Sequence, residues 1–206
     1  MSVKSEEQTR TEEKKLIKQN KLYEAAYELF TTKGVNKTSI DDIAKKAGVA
    51  KGTFYLYFKD KHDIIDRIVW RKSLSLLNEA MNKTEMEALK QDVSFVDRMI
   101  MFAKYLIEDL KENKRLLELI NKNLSWGVFR NALRDPRNYD KMKRARDFFL
   151  DSNKPINMDS DTLEKVVFMI IELISSVCYS SIILNEPDSI DNMKPLLFSV
   201  IRKMLL

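Results

Sequence analysis

The amino-acid sequence predicts an all-α protein. Four glycines and four prolines in 206 residues leave few helix breakers, and apolar side chains recur three and four residues apart. Residues 1–11 are charged and poor in apolar groups, which predicts a disordered tail. Over 12–33 the stripe Leu16, Leu22, Tyr23, Ala26, Tyr27, Leu29 and Phe30 has helical period and stops at Gly34. Further on, Asp60 caps a long helix over 61–83, whose buried side is Ile64, Ile65, Ile68, Val69, Leu74, Leu76 and Leu77. Residues 93–111 follow, with Phe95, Met99, Phe102 and Leu106 on one face. Residues 115–133 are expected as two shorter helices divided near Gly127, and 139–150 as a basic helix set off by Pro136 and ended by Lys154-Pro155. The most apolar helices come last, over 163–184 and, past a turn at Pro187, over 195–205. Pro195 suits the first turn of that final helix, where its missing N–H forfeits no bond.

The stretch from Ser39 to Lys61, SIDDIAKKAGVAKGTFYLYFKDK, says most about function. Thr38 or Ser39 can cap a helix there, since each has an aspartate three residues on, Asp41 or Asp42. Ile40, Ile43 and Ala44 give that helix an apolar face, and Gly48 follows with the left-handed freedom a tight turn needs. A second short helix over 50–57 then leaves at a steep angle, the pattern of a helix-turn-helix. Its N-terminal half presents Lys51, Thr53 and Tyr55, with Gly52 clearing space for a close partner. Lys51 can donate to guanine O6 or N7, and Thr53 can bond a base or meet a thymine methyl. Tyr55 and Tyr57 can reach phosphates, as can Lys61, Thr38 and Ser39 from two helix starts. Phe54 and Phe58 read as the core side.

Charge and inventory narrow the classes. Thirty-six Lys and Arg against 31 Asp and Glu give +5, but seven lysines against three aspartates fall within 33–61. A lone cysteine, Cys178, excludes an internal disulfide and a multi-cysteine metal site and suits a reducing compartment. The N-terminus has no apolar signal region, and the longest uninterrupted apolar run, 166–171, is far short of a membrane span. These features predict a cytoplasmic protein with no membrane partner. One histidine, one cysteine and no glycine-rich phosphate loop leave no constellation for catalysis, a metal or a cofactor.

The series G-V-x-x-G-T-F-Y-x-Y-F-x-x-K, from Gly48 to Lys61, resembles the tetracycline-repressor (TetR) family of bacterial transcriptional regulators. Ile43-Ala44 and Ala47 stand in the same order and spacing, and the resemblance covers roughly 15–70. It implies a DNA-binding domain over 12–67 and a helical ligand-binding and dimerisation domain over 68–206. It also implies DNA contacts from Thr38, Ser39, Ala50, Lys51, Gly52, Thr53, Tyr55, Tyr57 and Lys61. Two positions depart from the pattern. Ala50 stands where the family often has serine, so a contact from that side chain is missing, and Tyr57 stands where many members have histidine.

The expected partners are a double-stranded DNA operator, a second copy of the chain through 163–206, and a small apolar or amphipathic effector. Met99, Phe102, Tyr105, Trp126, Phe129, Phe148 and Phe149 are the candidate lining of an effector cavity, with Arg130 or Arg134 as anchor for an acidic ligand. The same residues at helical spacing also make ordinary core. A protein partner in place of the small molecule is the alternative.

Overall fold

The structure is a computed structural model and describes residues 2–90, 92–123, 139–149 and 158–206. Among the described residues there is no strand. The helices are α1 (Ser2–Thr32), α2 (Ile40–Ala47), α3 (Lys51–Tyr55), α4 (Lys61–Ala88), α5 (Phe95–Glu112), α6 (Lys114–Asn123), α7 (Tyr139–Phe149), α8 (Ser160–Cys178) and α9 (Ile190–Leu205). At its end α8 widens into a π-helix, Tyr179–Leu184, which Asn185 closes with a left-handed φ of 58°.

Two helix starts and one core residue differ from the sequence reading for physical reasons. Helix α1 begins at Ser2, inside the stretch expected to be disordered. Its Glu, Gln, Lys and Arg are good helix formers, and no glycine or proline interrupts them before Gly34. Leu16, assigned to the core stripe, is 58% exposed, because the buried series starts only at Leu22. Helix α9 starts at Ile190 behind a Ser189 cap that accepts from the Asn192 N–H, so Pro195 stands inside the helix and not at its first turn.

The chain divides after Val69 into two compact units. In the first, α1 packs on α2 and α2 on α3. Leu22, Ala26, Ile43, Phe54, Phe58, Ile64 and Val69 are buried. The Tyr23 ring stands edge-on to Phe58 at 5.1 Å, and Phe54 lies 5.3 Å from Phe58, the geometry aromatic pairs favour.

In the second unit α5 packs against α6, α8 and α9, and α8 against α9. Its buried carboxylate, Asp109, accepts from Lys83, and removing that lysine would strand a charge in the core. The span Ser160–Leu184 covers 25 residues and contains an 18-residue window of mean hydropathy 2.1, long and apolar enough by composition to cross a membrane. Reading uninterrupted runs missed it because Glu172 breaks the sequence. Here it packs on α5, α6 and α9 with a third of that window buried, which leaves Phe168 and Met169 exposed at 39% and 48%.

Candidate nucleic-acid interface

Of the two caps the sequence allowed for α2, the structure uses Ser39. Its Oγ accepts from the Asp42 N–H at 3.1 Å, while Asp42 Oδ2 accepts from the Ser39 N–H at 3.0 Å. This reciprocal box satisfies two donors that a helix start otherwise leaves open, and it holds the Asp42 carboxyl below its ordinary value. Thr38 turns inward. It is 1% exposed, and its hydroxyl donates to the Gly34 carbonyl at 2.9 Å. At the far end, Gly48 takes φ 67° and its N–H donates back to α2, which turns the chain sharply enough to start α3 at Lys51.

Helix α3 spans only Lys51–Tyr55, shorter than the 50–57 expected. Ala50 is its cap residue and supplies no side-chain bond, as its sequence position foretold. Alternation of burial sets the orientation of this helix. Phe54 is fully buried and Phe58 nearly so, while Lys51, Gly52 and Tyr55 are exposed and Thr53 and Tyr57 half-buried. A Cβ on Gly52 would meet nothing within 4 Å, so no contact inside the chain calls for glycine at that place. The α3 surface therefore offers an ammonium, a hydroxyl and a phenol over an apolar underside that fixes where they point.

Two of the expected contacts acquire further duties. The Lys61 ammonium donates to the carbonyls of Val35 at 3.0 Å and Thr38 at 3.2 Å, which ties the start of α4 to the loop entering α2. Lys51 donates to Asp41 Oδ2 at 2.8 Å, a contact between α3 and α2 that spacing alone did not reveal. This bond, with the aspartate's charge, raises the Lys51 pKa and keeps the ammonium charged. Around these residues Lys33, Lys37, Lys45 and Lys59 are exposed, and Lys46 pairs with Glu28 at 2.7 Å. Asp60 caps α4, its Oδ1 accepting from the N–H groups of His62 and Asp63.

Residues 22–68 match the model of bacterial regulatory proteins, tetR family. Through this segment, less than half of the chain, the protein is similar to the tetR family. An uncharacterized HTH-type transcriptional regulator of Bacillus subtilis, YvdT, is 53% identical over 51 residues, which is 25% of this chain and 26% of YvdT. The matches with such curated relatives span about a quarter to about half of the relatives' length. Two solved structures share the fold over nearly the whole chain. The transcriptional regulator FadR of Bacillus subtilis, in complex with stearoyl-CoA, has TM-score 0.59 at 16% identity and covers 90% of this chain and 98% of its own. A TetR family transcription regulator from Marinobacter aquaeolei VT8 has TM-score 0.55 at 16% identity, covering 95% and 98%. The match with the Bacillus subtilis regulator YhgD, 31% identical over 107 residues, is longer than the first unit, so sequence kinship reaches into the second.

The expected effector lining is partly within view. Met99, Phe102, Phe148 and Phe149 are all buried. The Phe102 ring lies 5.7 Å from Phe148 and 5.1 Å from Phe149, so these rings face one another. Tyr105 turns its hydroxyl to Glu87. Trp126, Phe129, Arg130 and Arg134 lie outside the described residues. Two open clefts are present in the second unit, both more polar than the lining the sequence suggested. One, of about 370 Å³, is lined by Glu85, Arg98, Asp140, Lys143, Arg144, Asp147 and Phe148. The other, of about 390 Å³, is lined by Glu87, Asp92, Val93, Asp97, Ile100, Met101 and Arg202.

Proposed function

We propose that the protein is a cytoplasmic, ligand-responsive transcriptional regulator, a repressor that binds a palindromic operator as a homodimer and is released by a small molecule. The observation that carries the DNA-binding half is the strip of exposed Lys51 and Tyr55 with half-buried Thr53 over buried Phe54 and Phe58, on a helix entered from a capped α2 and a glycine turn. In this reading Lys51 and Thr53 address base edges. Tyr55, Tyr57 and Ser39 hold phosphates, with the backbone at Ala50 and Gly52 close to the duplex. Thr38 and Lys61 act chiefly by fixing the loop that presents α2, and the remaining Lys61 proton is available to a phosphate.

Support for a dimer comes from the second unit. Phe168 and Met169 on α8, with Leu196 and Val200 on α9, leave apolar area exposed on two helices that pack together. Pairing of that surface with a second copy puts two α3 helices on the half-sites of a palindrome. The effector must prefer the conformation that does not bind DNA, since equal affinity for both shifts nothing. Likeness of fold to FadR supports an acyl ligand as first candidate, and stearoyl-CoA is the probe to use.

A protein partner in place of a metabolite is the second reading. The closed cluster of Phe102, Phe148 and Phe149 favours it, because those rings fill space with one another.

Electrophoretic mobility shift with the upstream region of the protein's own gene tests the first half. Binding should weaken steeply as salt rises, because each phosphate contact releases counterions. No shift at micromolar protein, or a shift indifferent to salt, removes the reading. Stearoyl-CoA added to the complex should release the DNA. Release by a co-purifying protein and by no small molecule selects the second reading.

A further inference from the structure

We propose that Asp41 and Lys51 act as one unit that reads a single guanine–cytosine base pair in a single orientation. The inference rests on the DNA-binding function proposed above. Lys51 opens α3 and Asp41 lies in the first turn of α2, and the ammonium donates to Asp41 Oδ2 at 2.8 Å. Their side chains are 54% and 65% exposed, so the bond between them, and not the core, holds them together. Asp41 Oδ1 makes no hydrogen bond among the described residues. The pair thus presents an ammonium and, beside it, a carboxylate with one oxygen unused, at the end of α3 that enters a groove first.

The major-groove edge of a guanine–cytosine pair carries the complement of that arrangement. Guanine O6 is an acceptor and cytosine N4 a donor, and their own Watson–Crick bond sets them about 2.9 Å apart. Lys51 can therefore donate to O6 and N7 while Asp41 Oδ1 accepts from N4, with the bond between the two side chains kept. Inverting the base pair brings the carboxylate against two acceptors and the ammonium against an amino group. Both contacts then repel, and the inverted pair is rejected as well as unrewarded. An adenine–thymine pair also sets a donor beside an acceptor, but thymine O4 offers the lysine one acceptor where guanine offers two. The pair also accounts for an acidic side chain on the face that meets a polyanion. Asp41 by itself repels phosphate, whereas held by Lys51 it contributes selectivity.

The test is selection of the full-length chain on a randomised double-stranded DNA pool, followed by competition binding on the enriched site and its single-position variants. The wild type should require guanine–cytosine, in one orientation, at one position of each half-site. Asp41→Ala should relax that position by roughly 5- to 100-fold and leave the other positions unchanged. Lys51→Ala should relax the same position, and the double variant should do no more than either alone, the mark of coupled residues. Asp41→Asn provides the same comparison if alanine loosens the first turn of α2, and thermal melting checks the fold of each variant. Unchanged base preferences with a uniform gain in affinity for Asp41→Ala overturn the proposal. So does relaxation at two different positions by the two single variants. If the wild type enriches no sequence at all, the DNA-binding function fails and the pair's role falls with it; enrichment with unaltered preferences in the variants removes the pair's role alone.

Discussion

Helix α3 in the first unit and helices α8 and α9 in the second handle their exposed side chains in opposite ways. In the first, the exposed residues of α3 are polar or amphipathic and stand on an underside sealed by Phe54 and Phe58. In the second, aromatic rings such as Phe102 and Phe148 turn inward and the exposed residues of α8 and α9 include Phe168, Met169, Leu196 and Val200. A polar strip on a rigid base suits a partner that is itself charged and water-soluble. Apolar side chains left in water suit a partner with the same need, and a second copy of the same surface meets that need. One unit shows its partner's chemistry on its face, and the other shows only that something must cover it.

The comparison breaks most sharply at Phe58. This ring contacts Tyr23, Phe54 and the Arg67 guanidinium, so its loss removes the centre of a small core. Phe58→Ala should cost about 3–5 kcal/mol and abolish DNA binding. Denaturant unfolding followed by circular dichroism should then show an early transition. Retention of wild-type stability would mean that α3 is not held from beneath.

A smaller effect is expected at the cap. Ser39→Ala removes one half of the reciprocal box and should destabilise the first unit by about 1 kcal/mol. Hydrogen exchange should report it as faster opening of α2, with α8 and α9 unaffected.

Gly52→Ala separates stability from function. Alanine has room and a better helix propensity, so it should stabilise α3 by up to about 1 kcal/mol. If DNA lies against that backbone, affinity should nevertheless fall. A rise in both quantities would show that no partner approaches Gly52.

The smallest effect lies in the second unit and depends on pH. Lys111 and Lys194 hold the Asp191 carboxyl down at about 2, from 3.8. A depressed carboxyl lends stability that is complete above its ordinary range and disappears as pH falls from 3.8 towards 2. Asp191→Asn should remove that part of the acid sensitivity, measured as a flatter dependence of melting temperature on pH in this window. Asp191 is exposed, so the change should be slight.

What the sequence could reveal followed from the distance over which each signal acts. Ser39 with Asp42, the turn at Gly48 and the burial of Phe54 and Phe58 are relations over a few residues, and each was legible. The bond between Lys51 and Asp41 spans ten residues and depends on the angle between two helices, which spacing does not fix. Lys61 reaches back more than twenty residues to Val35 and Thr38, and a charge at a helix start gave no hint of those carbonyls. Proline's tolerance in a first turn pointed to Pro195 as the start of α9, whereas the Ser189 cap starts the helix at Ile190. In the second unit periodicity located the described helices, while the second helix expected within 115–133, past Gly127, lies outside the described residues. Which faces meet is decided by side chains far apart in sequence, such as Lys111 with Asp191 and Arg202 with Asp97.

The brevity of α3 limits how much a single head can know. Five residues at about 1.5 Å each extend little more than 7 Å, the height of about two base-pair steps. A word of three base pairs recurs about every 64 base pairs in random sequence, so one such helix would be answered almost everywhere in a genome. Uniqueness must then come from multiplication, two short words required at a set separation. If the apolar faces of α8 and α9 pair two copies as proposed, they belong to the reading apparatus, because the separation they set carries information that the letters alone do not.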